Sequence, residues 1–516
     1  MDLLTDGSAT THPPLQNLPF AARLIRLPAN PSACLREHAS SRTGRFPRMQ
    51  FISTRGRAAA LGFSDAVLAG LASDGGLYVP QAWPQLSATE IAGFANRPYA
   101  EVAFDIISRF VDGEIPDAAL KKIIDEAYAT FRHPSVAPLV EIAPGHFVLE
   151  LFHGPTLAFK DVAMQFLARV MDHILAERGA RATIVGATSG DTGSAAIEAF
   201  RGRAATDIFI LHPENRTSAV QRRQMTTVLD DNVHNIALRG TFDDCQTIVK
   251  GLFNNHRFRD AVKLSGVNSI NWGRIVAQIV YYFTAAAALG SPHRQVTFVV
   301  PTGNFGDIFA GYCAQRMGLP VKTLAIATNS NDILARTLET GRYETGTVSP
   351  TMSPSMDIQV SSNFERLLFE SVGRDATTVQ SLMDSLGQSG GFTVPEAGMA
   401  AIRKLFVADR ASEAETAATI RAVHATAGYL LDPHSAIAVH VATPLTGGET
   451  PVITLSTAHP AKFPDAVKGA SGIEPGLPPW LADLFQKEER FTILDTDQGE
   501  VERFISARTR VLGEAK

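Results

Sequence analysis

From residue 49 to about 140, apolar residues recur at three- and four-residue spacing, as in SDAVLAGLA and DAALKKIIDEAYATF. That period predicts a mostly helical region. Between these segments SDGGLYVP (73–80) reads as a turn leading into a short apolar strand. After Pro144 the pattern changes. Apolar runs at 146–151, 182–188, 207–213, 233–240, 295–303, 321–329 and 451–457 predict strands. Helical periods lie between them, for instance at 159–177, 193–201, 243–254, 272–289 and 305–317. Strands that are apolar along their length, separated by helices, predict an α/β fold of open, mostly parallel sheets with right-handed crossovers. The stretch 330–400, with SPTMSPSMDI at 349–358, is less regular and reads as an insertion.

Residues 1–48 stand apart, with six arginines, no lysine, three acidic residues, scattered prolines and no sustained period. Three readings compete: an organelle transit peptide, a disordered tail, or an upstream start codon with the true beginning at Met49. The abrupt onset of pattern at MQFISTRG favours the last. The 516 residues are 45% hydrophobic and 19% charged, an ordinary globular composition long enough for two or three domains. A net charge of −5 gives no electrostatic case for nucleic acid or an anionic membrane. The best candidate span, 275–290, is short and interrupted by Gln278. Cys34, Cys245 and Cys313 lie far apart and form no disulfide or zinc pattern, and no HExxH pair occurs, so a reducing cytoplasm without a metal site is expected.

One lysine is chemically suspicious. Lys160 follows Leu157-Ala158-Phe159 at a predicted helix start. Buried there, its amine would lose proton affinity and become a nucleophile; exposed, it would be a lysine snorkelling over apolar neighbours. Three loops share a second chemistry. Ser189, Gly190, Asp191, Thr192 and Gly193 form one strand-to-helix turn; Gly303, Asn304, Phe305, Gly306 and Asp307 form another; Asn268, Ser269 and Arg274 precede a third helix. Glycines let amides converge, helix N-termini favour anions, and hydroxyls and arginine add donors. Neither glycine loop is a Walker A or GxGxxG motif. Together with Lys160 the three loops suggest a site for two phosphate groups. His153, His434, Arg222, Arg223 and Cys313 read more simply as structural, while His459 is evenly balanced.

LFHGPTLAFKD, TSGDTGSA, NSINWGR, PTGNFGD and LSTAHPAKF, taken together, resemble the threonine synthase family. The resemblance runs from STRG (53–56) through STAHPAKF (456–463). It implies a fold-type-II, tryptophan synthase beta-like pyridoxal-phosphate enzyme with a mainly helical N-terminal domain. By that resemblance Lys160 would hold pyridoxal 5′-phosphate. Gly303, Asn304, Phe305, Gly306 and Asp307 would bind its phosphate, Thr457 (with Ser456 next in line) would face the pyridine nitrogen, and Asp191 the 3′ oxygen. Ser189, Thr192, Asn268, Ser269 and Arg274 would bind the phosphate of O-phospho-L-homoserine, which with water would give L-threonine and phosphate. The implied organisation is 1–48; an N-terminal domain, 49–140; a catalytic region, 141–470, with a small subdomain at about 183–290 and the insertion 330–400; and a C-terminal segment, 471–516, packed on it. A cytoplasmic monomer or homodimer, without nucleic-acid or membrane partners, is expected. Alternatives are a phospho-lyase releasing 2-oxobutyrate, another type-II lyase such as a dehydratase, and a catalytically silent cofactor-binding relative.

Overall fold

The structure, a computed structural model, describes residues 48–513. The reading of residues 1–48 therefore falls, apart from Arg48, outside the described residues.

Two sheets organise the chain. The larger has six strands in the order Phe406–Arg410, Val321–Thr328, Val296–Pro301, Val452–Ser456, His146–Glu150, Leu139–Ala143. All neighbours are parallel except the last pair. Val296–Pro301 and Val452–Ser456 are buried at every position, as strands covered on both faces must be. The smaller sheet has five parallel strands in the order Thr492–Leu494, Val233–Leu238, Thr206–Pro213, Ala182–Ala187, Leu264–Ser265.

Every strand expected from an apolar run is present, with ends shifted by one or two residues. Phe406–Arg410, Leu139–Ala143, Thr492–Leu494 and Leu264–Ser265 were not expected, and each lies at an edge of its sheet. An edge strand is covered incompletely, so it needs no continuous apolar run. FVADR and LVEIA are half-exposed accordingly. The stretch 330–400 is more regular than its sequence suggests. It holds helices Ile333–Thr340, Phe364–Ser371 and Ala376–Ser389 and the antiparallel pair Arg342–Glu344 with Gly391–Thr393. Ile333–Thr340 and Phe364–Ser371 span eight residues each, which leaves little length over which to read a period.

The helical N-terminal residues do not carry a core of their own. Phe51 and Phe110 pack on Trp272, with ring centroids 5.4 and 5.6 Å away, so they share one core with helix Trp272–Ala288. Arg366, fully buried, donates to the carbonyls of Tyr78 (3.0 Å) and Ile270 (2.6 Å). One guanidinium thus ties the N-terminal strand, the turn before Trp272 and the 330–400 stretch together. The loops after Ala182–Ala187, Val296–Pro301 and Val452–Ser456 leave the carboxyl ends of their strands and face a common cavity.

Candidate active site

Lys160 is the first residue of helix Lys160–Glu177, and the loop before it is stitched to the end of strand Val452–Ser456. Phe159 N–H donates to Thr457 O (2.8 Å) and His459 N–H to Leu157 O (3.0 Å), while Asp161 accepts from both the amide and the hydroxyl of Thr156 (2.7 Å each). Leu157 has a φ of 63°, a left-handed conformation that costs a branched residue about 1–2 kcal/mol and is held by these bonds. The result is a buried ammonium. Lys160 Nζ lies 3.4 Å from Asp191 Oδ2 and 3.4 Å from Ser355 Oγ. Burial lowers its pKa; Asp191 opposes that shift, and Arg274 and Lys462 reinforce it.

Asp191 opens helix Asp191–Phe200. Its Oδ1 accepts from Gln221 Nε2 (2.8 Å) and pairs with Lys462 Nζ (3.2 Å), while Oδ2 accepts from Ser355 Oγ (3.1 Å). Burial alone would raise this carboxyl, but Lys462, Lys160 and His434 hold it well below the usual carboxylate range. Gly190, at φ 143°, leaves room for the Gln221 amide, which a Cβ would meet within 2.4 Å. The amides of Gly190 and Gly193 both donate to Thr188 Oγ1 (2.9 Å), so the SGDTG turn satisfies its own glycines. It offers the cavity Asp191 and Thr192 instead, and Ser189 does not line it.

The second glycine loop behaves differently. Phe305 takes φ 63° at the head of helix Gly306–Arg316, and the amides of Gly303, Asn304 and Phe305 meet no protein acceptor among the described residues. Here a nest of free N–H groups lies at a helix N-terminus, the arrangement that takes an anion. The Asp307 carboxyl turns away to Tyr281 and Tyr282, accepting from Tyr281 Oη and, at 3.0 Å, from Tyr282 Oη. Burial pushes its pKa up to about 6.

Arg274 is buried in helix Trp272–Ala288. Among the described residues its side chain has one partner, the carbonyl of Val267 (3.3 Å), and Nε has none. Burial lowers its pKa to about 10, so the guanidinium stays charged while meeting no carboxylate among the described residues. A buried cation in this state calls for an anionic ligand.

These groups line one cavity of about 400 Å³. Lys160, Asp191, Thr192, Asn268, Ser269, Arg274, Thr457 and the run Gly303–Asp307 all reach it, and Ser189 alone of the expected set does not. Ser456 stays out, its hydroxyl 2.9 Å from that of Ser435. His153 pairs with Glu150 (2.7 Å) and His459 accepts from Ala461 N–H (3.1 Å), both outside this cavity. Arg222 and Arg223 pair with Glu489, and Cys313 is a buried core residue. His434 was expected to cap or pack its helix. Asp432 is the cap, and His434 lines the cavity, its Nε2 accepting from Ser355 N–H (3.3 Å).

Sequence reasoning missed Ser355, Met356 and Ser362, which the aperiodic SPTMSPSMDI stretch and its continuation bring to the wall, and Gln246 and Lys250 on helix Phe242–Asn254. It also assigned no role to Lys462, although that residue lies in the quoted motif LSTAHPAKF. The residues present fit pyridoxal phosphate: a buried amine, a free-amide cradle for its phosphate, and Thr457 on the cavity wall.

Comparison with known proteins agrees with this geometry. The family model described as "Threonine synthase N terminus" matches residues 50–128, "Pyridoxal-phosphate dependent enzyme" matches 131–457, and "Threonine synthase, C-terminal" matches 435–505. A threonine synthase of Pseudomonas aeruginosa is 55% identical over 460 residues, covering 89% of this chain and 98% of the relative. The crystal structure of pyridoxal-phosphate-bound threonine synthase from Brucella melitensis superposes with a TM-score of 0.88 at 61% identity, covering 90% of this chain and 100% of that one. The yeast threonine synthase structure gives 0.84 at 40% identity, covering 90% and 99%. Among the described residues no helix is long and apolar enough to cross a membrane. On these grounds the chain belongs to the threonine synthase family of fold-type-II, pyridoxal-phosphate-dependent enzymes.

Proposed function

We propose that this enzyme converts O-phospho-L-homoserine and water to L-threonine and inorganic phosphate. The observation that supports the substrate is that one cavity holds the amides of Gly303–Phe305 and the buried Arg274, neither with an anionic partner among the described residues. One phosphate belongs to the cofactor. The other must belong to the substrate.

When bound, pyridoxal phosphate supplies the electron sink that makes the substrate's Cα and Cβ protons labile. The chain's own residues then divide the remaining work. Arg274, with Thr192, Asn268 and Ser269, grips the substrate phosphate through charge-assisted hydrogen bonds and fixes Cγ in place. Lys160, which holds the cofactor, has its proton affinity lowered by burial, so Nζ accepts the proton from Cα and later returns one. Asp307 gives the cofactor phosphate its backbone N–H, its carboxyl being engaged by the two tyrosines. With the cofactor bound, Thr457 would meet the pyridine nitrogen as a neutral hydroxyl and Asp191 the 3′ oxygen. Ser189 supports the turn that carries Thr192. The same reading keeps the division at about 140 and 470 and takes the enzyme as a cytoplasmic monomer or homodimer.

The test is to incubate the cofactor-loaded enzyme with O-phospho-L-homoserine and measure phosphate, threonine and 2-oxobutyrate together. Threonine equal to phosphate is expected. Phosphate matched by 2-oxobutyrate would replace this reading with a phospho-lyase.

A further inference from the structure

Lys462 is fully buried, outside the cavity lining, in the turn that follows strand Val452–Ser456. Its ammonium meets three acceptors: Thr156 O at 2.6 Å, Gln224 Oε1 at 2.8 Å and Asp191 Oδ1 at 3.2 Å. Three donors thus have three partners, so this charge is fully accounted for within the protein. The partners come from the turn before Lys160, from helix Ala219–Thr226 and from the head of helix Asp191–Phe200.

The Asp191 carboxylate is correspondingly two-sided. Oδ1 is held by Lys462 and Gln221, both behind the wall, whereas Oδ2 faces Lys160 and Ser355 at the cavity. Among the described residues His434 is a third titratable group that acts on it. A carboxylate beside a phenolate oxygen would repel it unless another charge compensates. Lys462 is in place to compensate.

We propose that Lys462 is a positioning residue that anchors and neutralises Asp191 from behind the wall, so that Oδ2 alone is presented to Lys160 and the 3′ oxygen of the cofactor. The proposal rests on the reading that Asp191 faces that oxygen. Lys462 then also prevents Asp191 from over-stabilising the protonated Lys160, because its positive charge lies close enough to offset the carboxylate. Removal of Lys462 leaves a buried carboxylate with weakened compensation, which must take up a proton or pull one onto its neighbour.

The test uses cofactor-loaded wild type, Lys462→Met, Asp191→Asn and the double variant, each titrated with pH while its visible absorption is followed, with kcat and KM measured alongside. Asp191→Asn is expected to move the spectroscopic midpoint by about one pH unit or more. Lys462→Met should move it by a similar amount in the opposite direction and lower kcat at least roughly ten-fold, with KM and inhibition by inorganic phosphate unchanged. The double variant should match Asp191→Asn alone. If Asp191→Asn moves the midpoint and Lys462→Met does not, or if the two shifts add, the positioning role is overturned. If Asp191→Asn moves nothing, the placement of Asp191 at the 3′ oxygen fails, and the proposal with it. Should Lys462→Met not fold, recovery of cofactor binding and of the Asp191→Asn midpoint in the double variant supports the proposal; failure to recover them overturns it.

Discussion

Asp191 and Asp307 both stand in the first turn of a helix, both are buried, and both line the same cavity. Their protonation is pulled in opposite directions. Asp191 is surrounded by Lys462, Lys160 and His434 and is held well below the usual carboxylate range despite its burial. Asp307 has two tyrosine hydroxyls and an oxygen without a partner, and burial pushes it up to about 6. The cavity therefore has a carboxylate held firmly ionised at the lysine and a carboxyl that takes up its proton far more readily beside the free-amide loop. Residue type does not decide the charge of a buried acid; the surrounding groups do.

The contrast is broken most severely at Lys160. Lys160→Ala removes the amine and one of the cations holding Asp191, and should lower threonine formation by roughly 10³-fold or more. Phosphate release and the borohydride-stable cofactor adduct report it, with circular dichroism unchanged. Next comes Arg274→Ala. It deletes the second anion site and leaves the first, so it should weaken substrate by about 3–4 kcal/mol, roughly 10²- to 10³-fold in KM, with cofactor content kept. Loss of cofactor instead would show that the two anion sites have been exchanged.

The two aspartates themselves give a sharper test through the pH dependence of stability in cofactor-free protein. Asp307 has a raised folded pKa, so stability falls as pH rises from its ordinary 3.8 to about 6. Asp307→Asn should therefore gain about 2–3 kcal/mol relative to wild type between pH 4 and 7. Asp191 has a depressed folded pKa. Its contribution is complete above the ordinary carboxylate range and is lost as pH falls toward the folded value, so Asp191→Asn should be most costly at neutral pH and least costly in acid. Denaturant unfolding must give slopes of opposite sign for the two variants, that of Asp307 between 3.8 and about 6 and that of Asp191 below 3.8. The smallest effect is expected at Ser189, which lies off the cavity: Ser189→Ala should leave KM within about two-fold, whereas Thr192→Ala should raise it clearly.

Much of this site was legible in the chain because its chemistry is concentrated in short loops after apolar strands. Lys160 after Leu157-Ala158-Phe159, and Gly303–Asp307 after TFVVP, carry both signals at once. Ser355 carries neither, since SPTMSPSMDI has no period and its hydroxyl acquires meaning only when the fold brings it 3.4 Å from Lys160 Nζ. The division of labour between the glycine loops was also hidden. Both read as amide cradles, but Thr188 Oγ1 already occupies the glycine amides of one, which depends on a rotamer and not on composition. Edge strands escaped notice for the reason given above: partial exposure releases them from the apolar pattern.

The place of Val452–Ser456 in its sheet bears on how the molecule is made. That strand lies between Val296–Pro301 and His146–Glu150, yet it is synthesised more than 100 residues after both. Until it emerges from the ribosome, the six-stranded sheet stands as two pieces, each with an unpaired inner edge. From Pro301 until Val452–Ser456 is made, the nascent chain thus holds two sticky, mutually compatible edges, a state open to mispairing and to chaperone capture. Thr457 and Lys462 follow directly behind the closing strand. The event that seals the sheet is therefore the event that completes the cavity, and a chain truncated before it has neither.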